Sequence, residues 1–424
     1  MLKKLSLLSI ISMLFLNGNI LENNSNTNLS MGLSSSNIIK NSNSLLNNPA
    51  SSATQLSNFD TSVSIYGVFL DNGLAKNIST LNNIDINKFV ANAKKLNTLT
   101  TVELNDFYKT MGTINNISTS KNNIIESLGF STTMSFKNIS FGFNTNYFYN
   151  IYLNNTPGKD IIISENGNYY KYDRVNNLYT TTTRKDYETN SFNNNIDTKS
   201  TLNNLQIIKS EIPISYSDKH RISNNDVFKY SGTLKLINVK SNLHTMLLSE
   251  VSNNSKDIFN RLETETNDLG VGINFGLIYQ PRIMKSFEIG LVGSNINEPV
   301  FKTKTNNFKL DSQYTISTSY VLNKEWIFSA SGDLKENEIF NYKSQNIGLG
   351  ISFEPSKFFN IRTGIIKNLV KDSTASLIYT SGLSFGFKSV KLDISGAYSQ
   401  ETTKINTTVI PEYLNLQSSL VIDF

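Results

Sequence analysis

From about residue 60 onward the chain alternates bulky apolar and small polar side chains with a period of two. Ile139, Phe141, Phe143, Thr145, Tyr147, Tyr149 and Ile151 fall on one face. Ser140, Gly142, Asn144, Asn146 and Asn150 fall on the other. Residues 268–278 repeat the pattern, with Leu269, Val271, Ile273, Phe275 and Leu277 set against Gly270, Gly272, Asn274 and Gly276. Successive side chains of a strand point to opposite faces, so this alternation predicts strands. Soluble strands usually run ~5–6 residues, whereas a tilted strand crossing a bilayer needs ~9–11. These runs have the longer length. Their polar face is Gly, Ser, Thr and Asn with few charges, which suits a lumen; a soluble sandwich would show Lys and Glu there.

About 14 such segments are predicted, near 60–70, 127–136, 139–153, 204–216, 228–240, 268–279, 286–295, 311–322, 325–335, 344–354, 358–367, 376–388, 390–400 and 412–424. Connections after even-numbered segments are mostly short, as at Lys137-Asn138 and Asn323-Lys324. Those after odd-numbered segments are longer, above all 71–126 and 154–203. An even strand count with short turns on one side and long loops on the other is the layout of a bacterial outer-membrane barrel with both termini in the periplasm. The last strand alternates to the terminal Phe424, and such an aromatic end is what barrel-assembly machinery reads. The predicted fold is therefore an all-β transmembrane antiparallel β-barrel over residues 59–424. A secreted soluble β-protein is its rival. An autotransporter is disfavoured, since no long passenger precedes the first strand.

The N-terminus reads as an address. Lys3 and Lys4 precede an apolar run from Leu5 to Leu16, too short for a membrane helix, and Asn17, Gly18 and Asn19 follow. This predicts a signal peptide over residues 1–20, cut near 18–22. The period switches in 75–115, where Ile86, Phe89, Val90, Ala93 and Leu96 have helical spacing. Thr100 to Glu103 matches a capping box. Two short helices are expected there, in the first long, outer loop. The second long loop carries Tyr169, Tyr170, Tyr172 and Tyr179 and is expected to be exposed and mobile.

Composition narrows the chemistry. Asparagine fills 61 of 424 positions, cysteine none and histidine two. No disulfide, thiolate or Cys-ligated metal is available. His220, expected in a turn, and His244, expected at a loop start, lie at opposite barrel ends and cannot join a triad. No enzyme, metal or cofactor is called for. The net charge of +5 leaves no footprint for nucleic acid. Pro213, inside a predicted strand, cannot donate to the ladder and predicts a bulge or local gap in the wall. Lys209, Glu211, Asp333 and Arg362 are the charges expected in the lumen, which otherwise reads as small and polar.

Residues 31–50, from Met31-Gly32-Leu33-Ser34 to Asn48-Pro49-Ala50, resemble the opening of the FadL-like long-chain fatty-acid transporter superfamily. Phe287-Glu288-Ile289-Gly290-Leu291-Val292-Gly293, Gly348-Leu349-Gly350 and Ile361-Arg362-Thr363-Gly364 resemble its TraF-type branch, whose label is conjugal transfer. Leu33-Ser34 departs from the family, where a second small residue and an acidic stretch are usual. The resemblance implies a 14-stranded barrel closed on the periplasmic side by an N-terminal hatch, over residues 21–58, that holds Asn48, Pro49 and Ala50. In the fatty-acid transporters an apolar ligand leaves sideways at a kinked strand. A passive transporter or porin-like channel for a small, apolar ligand is the first functional expectation. A structural or interaction barrel, such as a surface antigen or an accessory to a secretion or conjugation machine, is the second. An apolar lumen pocket would favour the first and a tightly filled barrel the second.

Overall fold

The computed structural model describes residues 21, 25–54, 59–75, 108, 111–112, 122–154, 160–173, 176, 178–192, 194–195, 199–222, 226–247, 265–304, 307–323, 325–356, 358–371, 373–387, 389–405 and 408–424. The predicted signal peptide and most of the two predicted helices of 75–115 lie outside them.

Fourteen antiparallel strands close into a barrel in sequence order. They are β1 (Phe59–Asn72), β2 (Asn123–Phe136), β3 (Ile139–Asn154), β4 (Thr201–Arg221), β5 (Val227–Leu247), β6 (Thr266–Gln280), β7 (Phe287–Ser294), β8 (Gln313–Leu322), β9 (Trp326–Asp333), β10 (Asn346–Ser356), β11 (Phe359–Asn368), β12 (Leu377–Phe387), β13 (Val390–Ser399) and β14 (Tyr413–Asp423). β14 pairs with β1 from Asp60↔Asp423 to Leu70↔Tyr413 and closes the ring. A closed sheet leaves no edge of unpaired amides for lipid to face. The connections sort by length as predicted. Turns such as 137–138 join strands at one end, and the small loop sheets among the described residues lie at the other.

β4 and β5 are the longest strands, and they absorb both histidines. His220 and His244 stand within β4 and β5 rather than in a turn or loop, still at opposite ends. The 154–203 connection also holds more order than expected. Its strands Ile162–Glu165, Asn168–Asp173 and Leu178–Thr182 form a small sheet, followed by a helix at Arg184–Asn190 that Thr183 caps. Tyrosine pairs hold it together, Tyr172 on Tyr179 at 5.1 Å and Tyr169 on Tyr187 at 5.2 Å.

The outward faces carry Val63, Ile65, Phe141, Phe143, Leu234, Leu236, Ile361 and Leu383, all exposed. A contiguous exposed apolar band is costly in water and expected in lipid. Aromatic pairs rim its turn end, Trp326 on Phe353 at 4.4 Å and Phe359 on Phe385 at 5.4 Å. Tyr379 on Tyr398 at 5.7 Å lies toward the loop end. This is an outer-membrane β-barrel.

Candidate functional site: the lumen

The lumen is stratified. Toward the turn end its wall is Ser62, Ser64, Ser131, Thr133, Ser215, Ser217, Ser317, Ser384, Ser395 and Ser419, all buried. Residues 25–54 lie against this polar wall and engage it strand by strand. The Asn26 amide bridges Ser395 of β13 and Ser419 of β14, at 2.6 Å each. Gly32 N–H donates to Thr380 Oγ1 of β12 at 3.1 Å. Ser34 shares a hydrogen bond with Ser329 of β9, and Ser36 with Ser317 of β8 at 3.0 Å. The segment then turns back. Ser42 N–H donates to Asp60 of β1, Thr133 of β2 donates to Asn43 at 3.3 Å, and Ser52 bonds Ser217 of β4 at 2.7 Å.

Inward glycines make room for this segment. A Cβ at Gly364 would stand 2.5 Å from Gly32 N and 2.6 Å from Met31 C, so only glycine admits that backbone so close. Gly276 does the same for Asn48 and Ala50. The Asn48-Pro49-Ala50 triplet is fully enclosed. Asn48 Oδ1 accepts from Ala50 N–H at 3.1 Å, and its Nδ2 donates to Asn37 Oδ1 at 3.3 Å and to Leu277 O of β6 at 3.5 Å. The Asn side chain thus makes the turn and ties it to the wall. Pro49 opens the 3-10 helix Pro49–Thr54, where a missing N–H costs nothing.

Charged layers sit within the lumen. Lys209 and Lys235 flank Glu211 at 3.3 and 3.5 Å, all three buried. Lys229 pairs with Glu288 at 2.8 Å, and Arg362 with Asp393 at 3.1 Å. Asp333 accepts from Thr315 Oγ1 at 2.8 Å and from Asn346 N–H at 2.9 Å. Lys209, Glu211, Pro213, Lys235 and Asp333 share a polar cavity of about 140 Å³ above the N-terminal segment, whereas Arg362 lies apart beneath it, bonded to Thr27 at 2.8 Å. Lys235, Lys229, Glu288 and Asp393 were missed from sequence, although each stands at a lumen-facing parity position.

At Pro213 the β3–β4 ladder lapses. Phe141 pairs with Ile214 and Asn144 with Glu211, but Gly142-Phe143 and Ile212-Pro213 do not pair. The register is the same on both sides, so this is a gap and not a bulge.

Toward the loop end the lumen becomes apolar, which the sequence reading of a small polar interior did not foresee. Val68, Leu70, Ile125, Phe148, Leu205, Ile207, Ile237, Val239, Ile366, Ile378 and Tyr413 point inward as a buried layer. Two hairpins of the outer loops fold into it. One joins Val300–Phe301 to Phe308–Lys309 and the other joins Asn337–Ile339 to Tyr342–Ser344. Between them and the β3–β4 wall lies a cavity of about 420 Å³ of mixed character, bordered by Tyr152, Leu205, Ile207, Phe308, Ile339 and Phe340 and by Asn150, Thr303, Asn307, Lys309, Asp311, Glu338 and Asn341. The signal was present in strand positions such as Val68-Leu70 and Ile237-Val239, where the inward face turns apolar.

Among the described residues no group of His, Asp and Glu is placed to hold a metal ion. Comparison with curated protein sequences finds no significant relative. Solved structures share the architecture. The Ralstonia pickettii toluene transporter TbuX superposes with a TM-score of 0.50 at 11% identity, covering 94% of this chain and 98% of that one. The CymD monoaromatic hydrocarbon channel gives 0.50 at 10%, covering 94% and 97%, and a Pseudomonas aeruginosa FadL homologue 0.49 at 9%, covering 97% and 99%. At such identity the likeness is one of fold. The model of one sequence family, described as F plasmid transfer operon, TraF, protein, matches residues 45–333. On that match the chain belongs to this TraF family, and its closed fourteen-strand wall shares the fold of the toluene transporter TbuX.

Proposed function

We propose that the protein is a passive outer-membrane transporter for a small, largely apolar ligand, which enters from the loop end. The observation that carries this reading is the apolar upper lumen with its 420 Å³ cavity. Small-molecule sites are concave, with apolar walls and polar groups that orient the ligand; here Leu205, Ile207, Phe308 and Phe340 supply the apolar side and Asn150, Asp311, Lys309 and Glu338 the polar one. TbuX, a toluene transporter by name, supports it by analogy of fold. In this reading the hatch expected over residues 21–58 is the segment of which 25–54 lie against the lumen wall, both termini are periplasmic, and the Asn48-Pro49-Ala50 turn seats the hatch on β6. The gap at Pro213 is the lateral exit, and Phe424 is the signal for the assembly machinery.

The filled lower lumen favours a second reading, an interaction barrel whose hatch stays shut. One comparison separates them. Intact cells carrying the full chain take up the apolar dye N-phenyl-1-naphthylamine faster than cells without it if the first reading holds. Liposomes carrying a chain that lacks residues 25–54 also conduct ions where the full chain does not. Equal dye uptake with and without the protein refutes transport of apolar ligands. A disulfide between cysteines placed at Phe143 and Ile212 closes the gap, and unchanged uptake then removes the lateral exit.

A further inference from the structure

The hairpin with Phe340-Asn341 at its tip springs from the wall between β9 and β10. Those strands stand seven places round a fourteen-strand ring from β2 and β3, on the opposite wall. Yet its tip is held by those far strands. Asn123 of β2 donates its Nδ2 proton to the Phe340 carbonyl at 2.6 Å, and also bonds Asn150 of β3 at 2.7 Å. The Phe340 ring meets Phe148 of β3 edge-on, with centroids 5.6 Å apart. Its face stacks on Phe308 of the other hairpin, also at 5.6 Å. The hairpin therefore spans the mouth.

The tip and the stem directly behind it differ in how they are held. Behind the tip, Ile339 and Tyr342 close the turn and are buried, Tyr342 Oη accepts from Asn368 of β11 at 3.3 Å, and Glu338 N–H donates to Asp311 at 3.2 Å. At the tip both residues are left-handed, Phe340 at φ 51° and Asn341 at φ 64°. That turn favours Asn-Gly, and an aromatic residue adopts it only when its surroundings enforce it. Here the far-wall hydrogen bond and the two ring contacts do the enforcing. The same tip forms one side of the 420 Å³ cavity.

We propose that this hairpin is a strap fastened across the outer mouth by Asn123, and that Phe340 is the side chain a ligand displaces to pass. The proposal rests on the transport reading and deepens it. Breaking the Asn123 bond frees a strained turn from a fixed base, which is how a gate opens with little loss of structure. A small apolar molecule replaces the Phe340 ring against Phe148 and Phe308.

The protein has no cysteine, so paired cysteines report on this event alone. The double variant Asn123→Cys with Asn341→Cys, bridged by a short bis-methanethiosulfonate reagent, ties the strap shut while keeping Phe340. Bridging is expected to lower N-phenyl-1-naphthylamine uptake by intact cells about tenfold, and dithiothreitol to restore it. The Phe340→Gly variant, which removes the ring and relieves the turn, is expected to raise uptake about threefold. Heat-dependent gel mobility establishes that each variant is a closed barrel. Unchanged uptake after bridging, with the unmodified protein active, overturns the strap and leaves the transport reading standing. No uptake through the unmodified protein overturns the transport reading and the strap with it.

Discussion

Arg362 of β11 and Asp393 of β13 form a buried ion pair at 3.1 Å that reaches past the intervening strand β12. Ser384 of β12 also donates to Asp393, and Arg362 donates to Thr27. The pair therefore fastens three strands and the N-terminal segment at one point. Removing one partner leaves a buried charge uncompensated. Arg362→Ala is expected to cost about 3–5 kcal/mol, whereas the apolar double exchange Arg362→Met with Asp393→Leu is expected to cost far less. Urea titration followed by heat-dependent gel mobility measures both. Equal losses would mean that the pair's charge is not what matters.

Gly364 is the narrowest seat of the N-terminal segment. Gly364→Leu places a side chain where Met31 and Gly32 run, so the segment must leave the wall there. The barrel strands themselves stay paired, because the new side chain points into the lumen. Limited proteolysis is expected to cut near residues 31–33 in the variant and not in the unmodified protein. An unchanged cleavage pattern would show that the segment is held elsewhere.

Trp326 is the chain's single tryptophan, and it faces outward at the turn end of β9, 39% exposed against Phe353. Its emission in liposomes is expected to be quenched by brominated acyl chains, more by bromine near the headgroup than near the chain ends, and little by aqueous acrylamide. The reverse order would remove Trp326 from an interfacial belt.

The seam of the barrel is stapled by Phe424. Phe424 N–H donates to Phe59 O at 2.9 Å, and the two rings lie 5.6 Å apart. Deleting Phe424 is expected to cost about 1–2 kcal/mol from the lost hydrogen bond and ring pair. The folded gel band should then disappear at a lower temperature than in the full chain.

Glu298, in the outer loop between β7 and β8, accepts from Lys309 at 2.6 Å, Ser312 Oγ at 2.6 Å and Lys335 at 2.9 Å. These bonds hold its carboxyl well below the usual carboxylate range. A depressed folded value adds stability above the unfolded carboxylate's pKa of about 4.3, and loses it as pH falls through the folded value. Glu298→Gln should therefore speed proteolysis of this loop at neutral pH. The gap between variant and unmodified protein should hold down to about pH 4 and close only in stronger acid. High salt should narrow the gap at any pH, since the carboxylate is partly exposed.

How much could be read in advance follows from the period of a strand. Alternation at Ile139–Ile151 shows which side chains face lipid and which face the lumen, because that choice is made residue by residue within one strand. Loop lengths then sort the two ends of the barrel. Lys209, Glu211 and Arg362 could be placed inward from parity alone. Their cross-strand partners could not, since Lys235 and Asp393 come from other strands whose stagger sets the level at which each side chain meets another. Order in the 154–203 loop was hidden for a related reason. Its strands are only four to six residues long and pair only with each other, so no sustained alternation marks them.

The chain's own pattern thus determined a closed wall of fourteen strands, its greasy exterior, its polar lower lumen and the inward glycines. Each of these depends on neighbours one or two residues away. Tertiary structure alone decided that Asn123 meets Phe340 across 217 positions, that Gly364 seats Gly32, and that the upper lumen holds a cavity against its apolar layer. Those contacts form only when the ring closes and brings opposite walls within a hairpin's reach, and no periodicity along one strand encodes that distance.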